Sequence, residues 1–145
     1  MIIDSKEIDR RVQNIVNIMN KMNIDAVYLA NPENVTYFSG VHFIPTERPI
    51  SLIIKKNSER IIIVPRLELE RVEKEGFIDK VEYYLEYPDE RHPMEVISEK
   101  IKEYNISSMG YDIDGYGSAF GYKGPRLSEL LNLKFINISD VIQEL

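Results

Sequence analysis

Apolar residues recur at helical spacing near the start of the chain and in short runs further along it. The helical stripe consists of Ile8, Val12, Ile15, Met19 and Met22. Spacings of three and four place these side chains on one face of a helix, which we interpret as a core face rather than a partner-binding face. Asp4 lies just before the stripe and Glu7 three positions later, so the pair predicts a capping box.

The short apolar runs predict six strands, at residues 25–30, 50–55, 60–64, 81–85, 108–112 and 134–138. Residues 56–59 form a polar hairpin tip between the second and third strands. Three further helices are predicted at residues 66–75, 93–104 and 125–131. A short helix is also expected between Asn31, a suitable N-cap before Pro32, and Gly40, a suitable helix end. Strands that alternate with helices predict an α/β domain: three layers, with a mixed sheet of about six strands and helices on both faces.

The length of 145 residues fits one domain. Residues 139–143 look like a helix start, with Asp140 and Gln143 as a capping box, but the sequence ends at Leu145 after about one turn. We therefore expect residues 1–138 to be the first domain of a longer protein. Residues 139–145 would begin a linker helix to a domain that is absent here.

Composition narrows the classes of partner. The 18 basic and 24 acidic residues give a net charge of −6, which argues against a broad nucleic-acid surface. The absence of cysteine excludes a disulfide framework, a thiolate zinc site and a cysteine nucleophile, and it fits a cytoplasmic location. No apolar stretch approaches the ~20 residues of a membrane helix, and the first residues lack a signal-peptide pattern. Neither nucleic acid nor membrane is expected as a partner.

Metal binding has little support in the sequence. The two histidines, His42 and His92, belong to no ligand motif. Asp112-x-Asp114-Gly115 resembles the start of a calcium loop, but Lys123 stands where such a loop needs glutamate. We expect no metal site and no cofactor in this chain.

A glycine-rich segment raises a dinucleotide site as an alternative. Gly115-x-Gly117-x-x-x-Gly121 follows a predicted strand, as a phosphate-binding loop would. Asp112 and Asp114 would face a pyrophosphate with like charge, and Pro125 interrupts any helix that follows. We interpret the segment as a connection.

Two other clusters have simple structural interpretations. The acidic and basic residues of the predicted helix at 66–75 are spaced for pairing along a solvated face. Tyr83, Tyr84 and Tyr87 could stack on bases, but no basic residues accompany them. Packing on the sheet is the favoured interpretation of these tyrosines.

The loop at residues 41–49, called the 41–49 loop below, has the highest density of side chains that could bind a ligand or substrate. It contains His42, Thr46, Glu47 and Arg48, and two prolines stiffen it. A guanidinium can bind a carboxylate through two parallel hydrogen bonds. The alternative is an ordinary surface connection.

An ordered set of motifs resembles the N-terminal domain of the creatinase, prolidase and aminopeptidase P family. The signature runs from the strand at 25–30 through Pro32-x-Asn34 to Tyr37-Phe38-Ser39-Gly40. Further similarity lies in Arg10-Arg11, in Val64-Pro65-Arg66-Leu67-Glu68 and in Gly110-Tyr111-Asp112. The resemblance covers essentially the whole chain.

The resemblance implies a ribonuclease-H-like domain that precedes a "pita-bread" catalytic domain. The catalytic domain would bind two divalent metal ions, such as manganese, cobalt or zinc, so this chain alone should not be an enzyme. The parent would be an Xaa-Pro dipeptidase or aminopeptidase that acts on proline-containing peptides as a homodimer. The first domain would contact its own catalytic domain and a second subunit.

The same resemblance implies that the 41–49 loop reaches over the neighbouring subunit's active site. Arg48 matches a substrate-contacting arginine of creatinase, and His42 is the second candidate contact. Thr46 and Glu47 do not match creatinase, which favours a proline-specific peptidase over a creatinase-like amidinohydrolase. Two alternatives remain open: an interaction module from a relative that has lost its metals, and a stand-alone nucleotide binder.

Overall fold

The computed structural model describes residues 4–42, 48–85, 92–116 and 125–145, in which each predicted helix and strand has a counterpart. The strands are β1 (Ala26–Leu29), β2 (Ser51–Lys55), β3 (Arg60–Pro65), β4 (Lys80–Tyr84), β5 (Ser108–Tyr111) and β6 (Lys134–Asn137). The helices are α1 (Ser5–Met22), α2 (Pro32–Ser39), α3 (Leu69–Glu75), α4 (Pro93–Lys102), α5 (Leu127–Leu130) and α6 (Ser139–Gln143), with a 3₁₀ turn (Arg66–Glu68) before α3.

The strands form one mixed sheet in the order β4-β3-β2-β1-β5-β6. Strand β2 runs antiparallel to both of its neighbours, and every other pair of adjacent strands is parallel. At the centre, Ala26 of β1 lies between Lys55 of β2 and Met109 of β5. The predicted mixed sheet is confirmed.

The two faces of the sheet bury separate apolar clusters because successive side chains of a strand point to opposite faces. Val27 and Leu29 of β1 face a cluster that includes residues of α1, α2, α3 and α6. Ala26 and Tyr28 face the second cluster, with residues of α4 and α5. The three-layer prediction is confirmed.

Side chains cap the first two helices at Asp4 and Asn31, the two N-cap positions that the sequence predicts. Asp4 Oδ1 accepts a hydrogen bond from the Glu7 backbone N–H at 3.0 Å, and Asn31 Oδ1 accepts one from the Glu33 N–H at 2.9 Å. The Glu7 carboxylate pairs with Arg10 and Arg11. The hydrogen bond from Arg10 is the largest cause that lowers the pKa of Glu7 to about 2; burial opposes it, and the hydrogen bond from Arg11 adds to the lowering.

One predicted helix end and one predicted capping box are wrong. Helix α4 ends at Lys102, so Tyr104 lies beyond it, and its hydroxyl donates to Glu82 of β4. Helix α6 begins at Ser139, whose N–H donates to Asn137 Oδ1 at 2.9 Å. Asp140 therefore lies inside α6, and the predicted capping box with Gln143 does not form, because the N-cap position is Ile138, whose side chain is apolar.

Several predicted features lie outside the described residues. They are the middle of the 41–49 loop (residues 43–47), Tyr87 within residues 86–91, and Gly117 and Gly121 within residues 117–124.

Candidate functional site

The site lies at the edge of the sheet where the parallel strands end. The segments that follow β1, β3, β4 and β5 leave the sheet at this edge, and the antiparallel strand β2 begins there. The 41–49 loop connects α2 to β2, so its described residue Pro49 lies near this edge, where β2 begins. Carboxyl ends of strands commonly carry ligand sites in α/β proteins.

A buried carboxylate joins the segments after β1 and β5. Asp112 is 8% exposed and accepts hydrogen bonds from the backbone N–H groups of Ala30 and Asn31, at 2.8 and 3.0 Å. The side-chain amide of Asn34 donates to it at 2.9 Å. Burial raises the pKa of Asp112, and these hydrogen bonds oppose that effect. The Pro-x-Asn and Gly-Tyr-Asp motifs thus meet in one contact that holds the start of α2.

The end of α2 is held by an arginine and by backbone geometry. Arg11 donates to the Tyr37 carbonyl oxygen at 2.9 Å, and its guanidinium lies 4.1 Å from the centre of the Tyr37 ring. Gly40 ends the helix in the left-handed region, with φ of 80°, and its N–H donates to the Thr36 oxygen at 2.8 Å. A Cβ atom at Gly40 would lie 2.8 Å from the Phe77 ring. Both the conformation and the close approach require glycine.

Two hydrogen bonds hold the first end of the 41–49 loop, one at Val41 and one at His42. Val41 is fully buried, and its N–H donates to Ser39 Oγ at 3.1 Å. The guanidinium of Arg71 on α3 donates to the His42 carbonyl oxygen. The His42 residue itself is exposed. Its backbone is therefore held while its imidazole faces solvent.

A side chain of the sheet holds the second end of the 41–49 loop. The hydroxyl of Tyr84, at the end of β4, donates to the Pro49 carbonyl oxygen at 2.8 Å. Tyr84 is 2% exposed, and Pro49 is buried. Arg48, immediately before this anchored proline, is exposed. The two predicted site residues thus stand at the two ends of one loop, each next to an anchored backbone.

An exposed apolar patch lies at the same edge of the sheet. The apolar patch consists of Leu67, Tyr83 and Leu85, which are 73%, 40% and 55% exposed. Tyr83 pairs in register with Val64, and the Arg66 guanidinium lies 4.9 Å from the centre of the Tyr83 ring. The three residues therefore come from the ends of two adjacent strands and the turn after one of them.

The other candidates from the sequence have structural contacts. His92 Nδ1 accepts a hydrogen bond from the Met94 N–H at 3.1 Å and so caps α4. Asp114 accepts hydrogen bonds from the N–H and hydroxyl of Ser128, at 2.9 and 2.5 Å, near the start of α5. Across the four described ranges, no group of three or more metal-ligating side chains comes together.

Sequence reasoning missed Arg71 and Tyr84 as residues of the site. Arg71 matched the pattern of a solvated charged face, and it does pair with Glu68 and Glu75 on its own segment at 3.2 and 3.4 Å. The bond to His42 has no local signal, because the two residues are 29 positions apart. Tyr84 packs on the sheet as expected, but its hydroxyl bond to Pro49 joins residues 35 positions apart.

None of the helices in the described part of the chain combines the length and the apolar character that a membrane crossing requires.

Comparison with known proteins shows that the chain is similar to domains of peptidases. The family model of the creatinase/prolidase N-terminal domain matches residues 11–145. An uncharacterized peptidase of Staphylococcus aureus is 28% identical over an alignment of 120 residues that covers 72% of this chain and 34% of that protein. The chain thus spans about a third of the length of the curated relatives that it matches.

Solved structures share the fold. The creatinase/prolidase N-terminal domain of an X-Pro dipeptidase from Streptococcus pyogenes superposes with a TM-score of 0.74 at 19% identity, covering 94% of this chain and 99% of that one. The N-terminal domain of Xaa-Pro dipeptidase from Lactobacillus brevis gives 0.72 at 20% identity, with coverage of 93% and 99%. The prolidase from Pyrococcus horikoshii gives 0.66 at 26% identity, covering 93% of this chain and 34% of that one.

Proposed function

Because the chain belongs to the creatinase/prolidase N-terminal domain family, we propose that it is the non-catalytic first domain of a proline-specific metallopeptidase. In this proposal the parent protein is a cytoplasmic homodimer. The 41–49 loop of each subunit covers the active site of the other subunit and presents Arg48 and His42 to a proline-containing peptide. The two divalent metal ions belong to the catalytic domain that follows residue 145.

The observation that carries the proposal is the placement of Arg48. Its residue is exposed, yet the next residue, Pro49, is buried and bonded to Tyr84. The residue before a proline is confined to extended conformations, which restricts the Arg48 backbone further. A guanidinium next to an anchored backbone segment starts from a defined position, which suits recognition of a planar anionic group.

The apolar patch supports contact with a second surface. Leu67 and Leu85 are large side chains that are more than half exposed, and they lie at the edge of the sheet from which Arg48 projects. Large exposed apolar surfaces commonly mark protein–protein contact sites. Cover by the parent's other subunit would remove this surface from water while bringing the loop to its target.

The chemistry of the substrate suggests what Arg48 does. A dipeptide such as Ala-Pro ends in a free carboxylate, which a guanidinium can bind through charge-assisted hydrogen bonds. Such a bond contributes roughly 1.5–3 kcal/mol, which corresponds to about a ten- to hundred-fold change in kcat/KM.

Arg48→Ala in the full-length protein tests this role. We expect kcat/KM for Ala-Pro to fall by about ten- to a hundred-fold, with a much smaller loss for Ala-Pro amide, which lacks the carboxylate. His42→Ala on the same substrates measures the second candidate contact. Unchanged kcat/KM in both variants would reduce the 41–49 loop to an ordinary connection.

Mixed dimers test whether the loop acts between subunits. One subunit carries Arg48→Ala, and the other carries an inactivating change at a catalytic-domain metal ligand. If the loop acts in trans, the intact Arg48 of the second subunit serves the intact metal site of the first, so one active site per dimer recovers. If the loop serves its own subunit, the mixed dimer stays as impaired as the Arg48→Ala homodimer.

A further inference from the structure

A cation lies within the apolar patch. Arg66, in the 3₁₀ turn after β3, is exposed, and its guanidinium carbon lies 4.9 Å from the centre of the Tyr83 ring. The next residue, Leu67, is 73% exposed, and Leu85 at the end of β4 is 55% exposed. The turn after β3 and the end of β4 thus bring a guanidinium, an aromatic ring and two leucine side chains to one exposed surface.

The charge of Arg66 is not neutralised by a carboxylate in the described part of the chain. Glu68, two residues later, pairs with Arg71 instead, at 3.2 Å. A contact with an aromatic ring orients a guanidinium and still leaves it N–H donors for other partners. Arg66 is therefore suited to bind a carboxylate of another molecule through two parallel hydrogen bonds.

Charge complementarity indicates what covers this surface. The chain has 24 acidic and 18 basic residues, so a second copy presents an excess of carboxylates to the unpaired cation. The three residues of the apolar patch are also three of the four large apolar side chains that are exposed in the described ranges. Arginine and tyrosine are enriched at the positions that dominate the binding energy of protein interfaces. A second copy therefore matches both the charge and the apolar area.

We propose that Arg66 and the apolar patch bind the second subunit of the parent homodimer, and that the Arg66 guanidinium pairs with a carboxylate of that subunit. This inference rests on the proposed function and adds to it the residues that hold the subunits together. Tyr83 positions the guanidinium. Leu67 and Leu85 exclude water from the contact, which strengthens the ion pair.

Dissociation of the full-length homodimer measures the contribution of each side chain. Sedimentation equilibrium should give a dissociation constant about ten- to a hundred-fold higher for Arg66→Ala than for the wild type. Arg66→Lys keeps the charge but not the planar fork of donors, so it should recover only part of this loss. Leu67→Ala should raise the constant by about ten-fold. Unchanged constants in Arg66→Ala and Leu67→Ala would overturn the inference.

Matched controls separate this contact from general effects of charge and packing. Lys74→Ala removes an exposed basic side chain of α3 outside the patch. Tyr83→Phe keeps the ring and removes only the hydroxyl. Neither control should change the dissociation constant by more than about two-fold, whereas Tyr83→Ala should raise it clearly. An increase in Lys74→Ala as large as that in Arg66→Ala would show a general effect of charge and would overturn the inference.

The dependence on salt tests the ion pair itself. The dissociation constant of the wild type should rise between about 50 and 500 mM sodium chloride, because salt screens attraction between opposite charges. The rise should be smaller in Arg66→Ala, which lacks one of the two charges. The same dependence on salt in both proteins would overturn the inference.

Kinetics and assembly distinguish this inference from the proposed function. If Arg66→Ala lowers kcat/KM for Ala-Pro at concentrations where it is fully dimeric, Arg66 contacts substrate instead, and the inference is overturned. If the patch variants dimerise like the wild type while Arg48→Ala still lowers kcat/KM, the inference fails and the proposed function stands. A full-length protein that is monomeric at micromolar concentration would refute the proposed homodimer, and the inference would fall with it.

Discussion

The Asp112 carboxylate accepts a hydrogen bond from the Asn34 side-chain amide at 2.9 Å, across 78 positions of sequence. The same carboxylate binds the backbone N–H groups of Ala30 and Asn31. These contacts set the direction in which α2 leaves the sheet, and the 41–49 loop follows α2. The motifs that resemble a peptidase domain therefore hold the helix that precedes the 41–49 loop. They are not themselves the residues proposed to contact substrate.

Asp112→Ala should lower the free energy of unfolding by about 2–3 kcal/mol, because buried N–H donors lose a charged acceptor. Urea denaturation of the 145-residue chain measures this change. Asp140→Ala is the matched control, since Asp140 lies within α6 without capping it. A loss as small as that of the control would show that Asp112 does not hold α2.

Gly40→Ala should also destabilise the domain, by at least about 1 kcal/mol, because φ of 80° disfavours any residue with a Cβ. The clash with the Phe77 ring adds to this cost. The double variant Gly40→Ala/Phe77→Leu should relieve the clash but not the backbone strain. Thermal unfolding of the two variants separates the contributions, and a wild-type melting temperature in Gly40→Ala would contradict the prediction.

Arg48→Ala in the 145-residue chain should change the free energy of unfolding by no more than about 0.5 kcal/mol, because Arg48 is exposed. Together with the kinetic loss proposed for the full-length protein, this would separate a role in function from a role in folding. A large loss of stability would show that Arg48 is a structural residue.

Asp25 should contribute to acid sensitivity. Its carboxylate accepts hydrogen bonds from the Ser107 N–H at 2.8 Å and the Ser107 hydroxyl at 2.9 Å, and these bonds lower the pKa of Asp25. A carboxyl with a lowered pKa in the folded state stabilises the fold above its ordinary value of about 3.9, and this contribution is lost as the pH falls through the folded-state pKa. Asp25→Asn should therefore lose less stability than the wild type between pH 6 and pH 3, on the order of a few tenths of a kcal/mol less. Urea denaturation at the two pH values measures the free energy of unfolding of both proteins. A decrease that is equal in Asp25→Asn and in the wild type would contradict this prediction.

The 145-residue chain by itself should not hydrolyse Ala-Pro, with or without added manganese. The metal ligands that peptide hydrolysis would use are assigned to the catalytic domain, and the proposed contribution of this chain is binding in trans. A purified sample is assayed beside the full-length protein as the positive control. Turnover that copurifies with the chain through two columns would contradict the assignment.

The sequence by itself determined the elements and the layers, because those depend on local patterns. The stripe from Ile8 to Met19 predicts α1 through its period, and the apolar runs predict strands buried on both faces. Asn31 and Gly40 bound α2 through preferences that act within a few residues. The predictions failed where a helix terminus depends on its neighbours, as at the end of α4 before Tyr104 and in the first turn of α6 at Asp140.

The sequence also indicated the 41–49 loop, through the residue types of His42 and Arg48, but the anchors of that loop came only from the tertiary structure. The bonds from Arg71 to His42 and from Tyr84 to Pro49 join residues 29 and 35 positions apart. Such contacts exist because β4 pairs beside β3, and because the segment after α3 contacts the end of α2, where the Phe77 N–H donates to the Ser39 carbonyl oxygen at 2.9 Å. No local spacing indicates that arrangement, since the same arginine also pairs with Glu68 and Glu75 on its own segment.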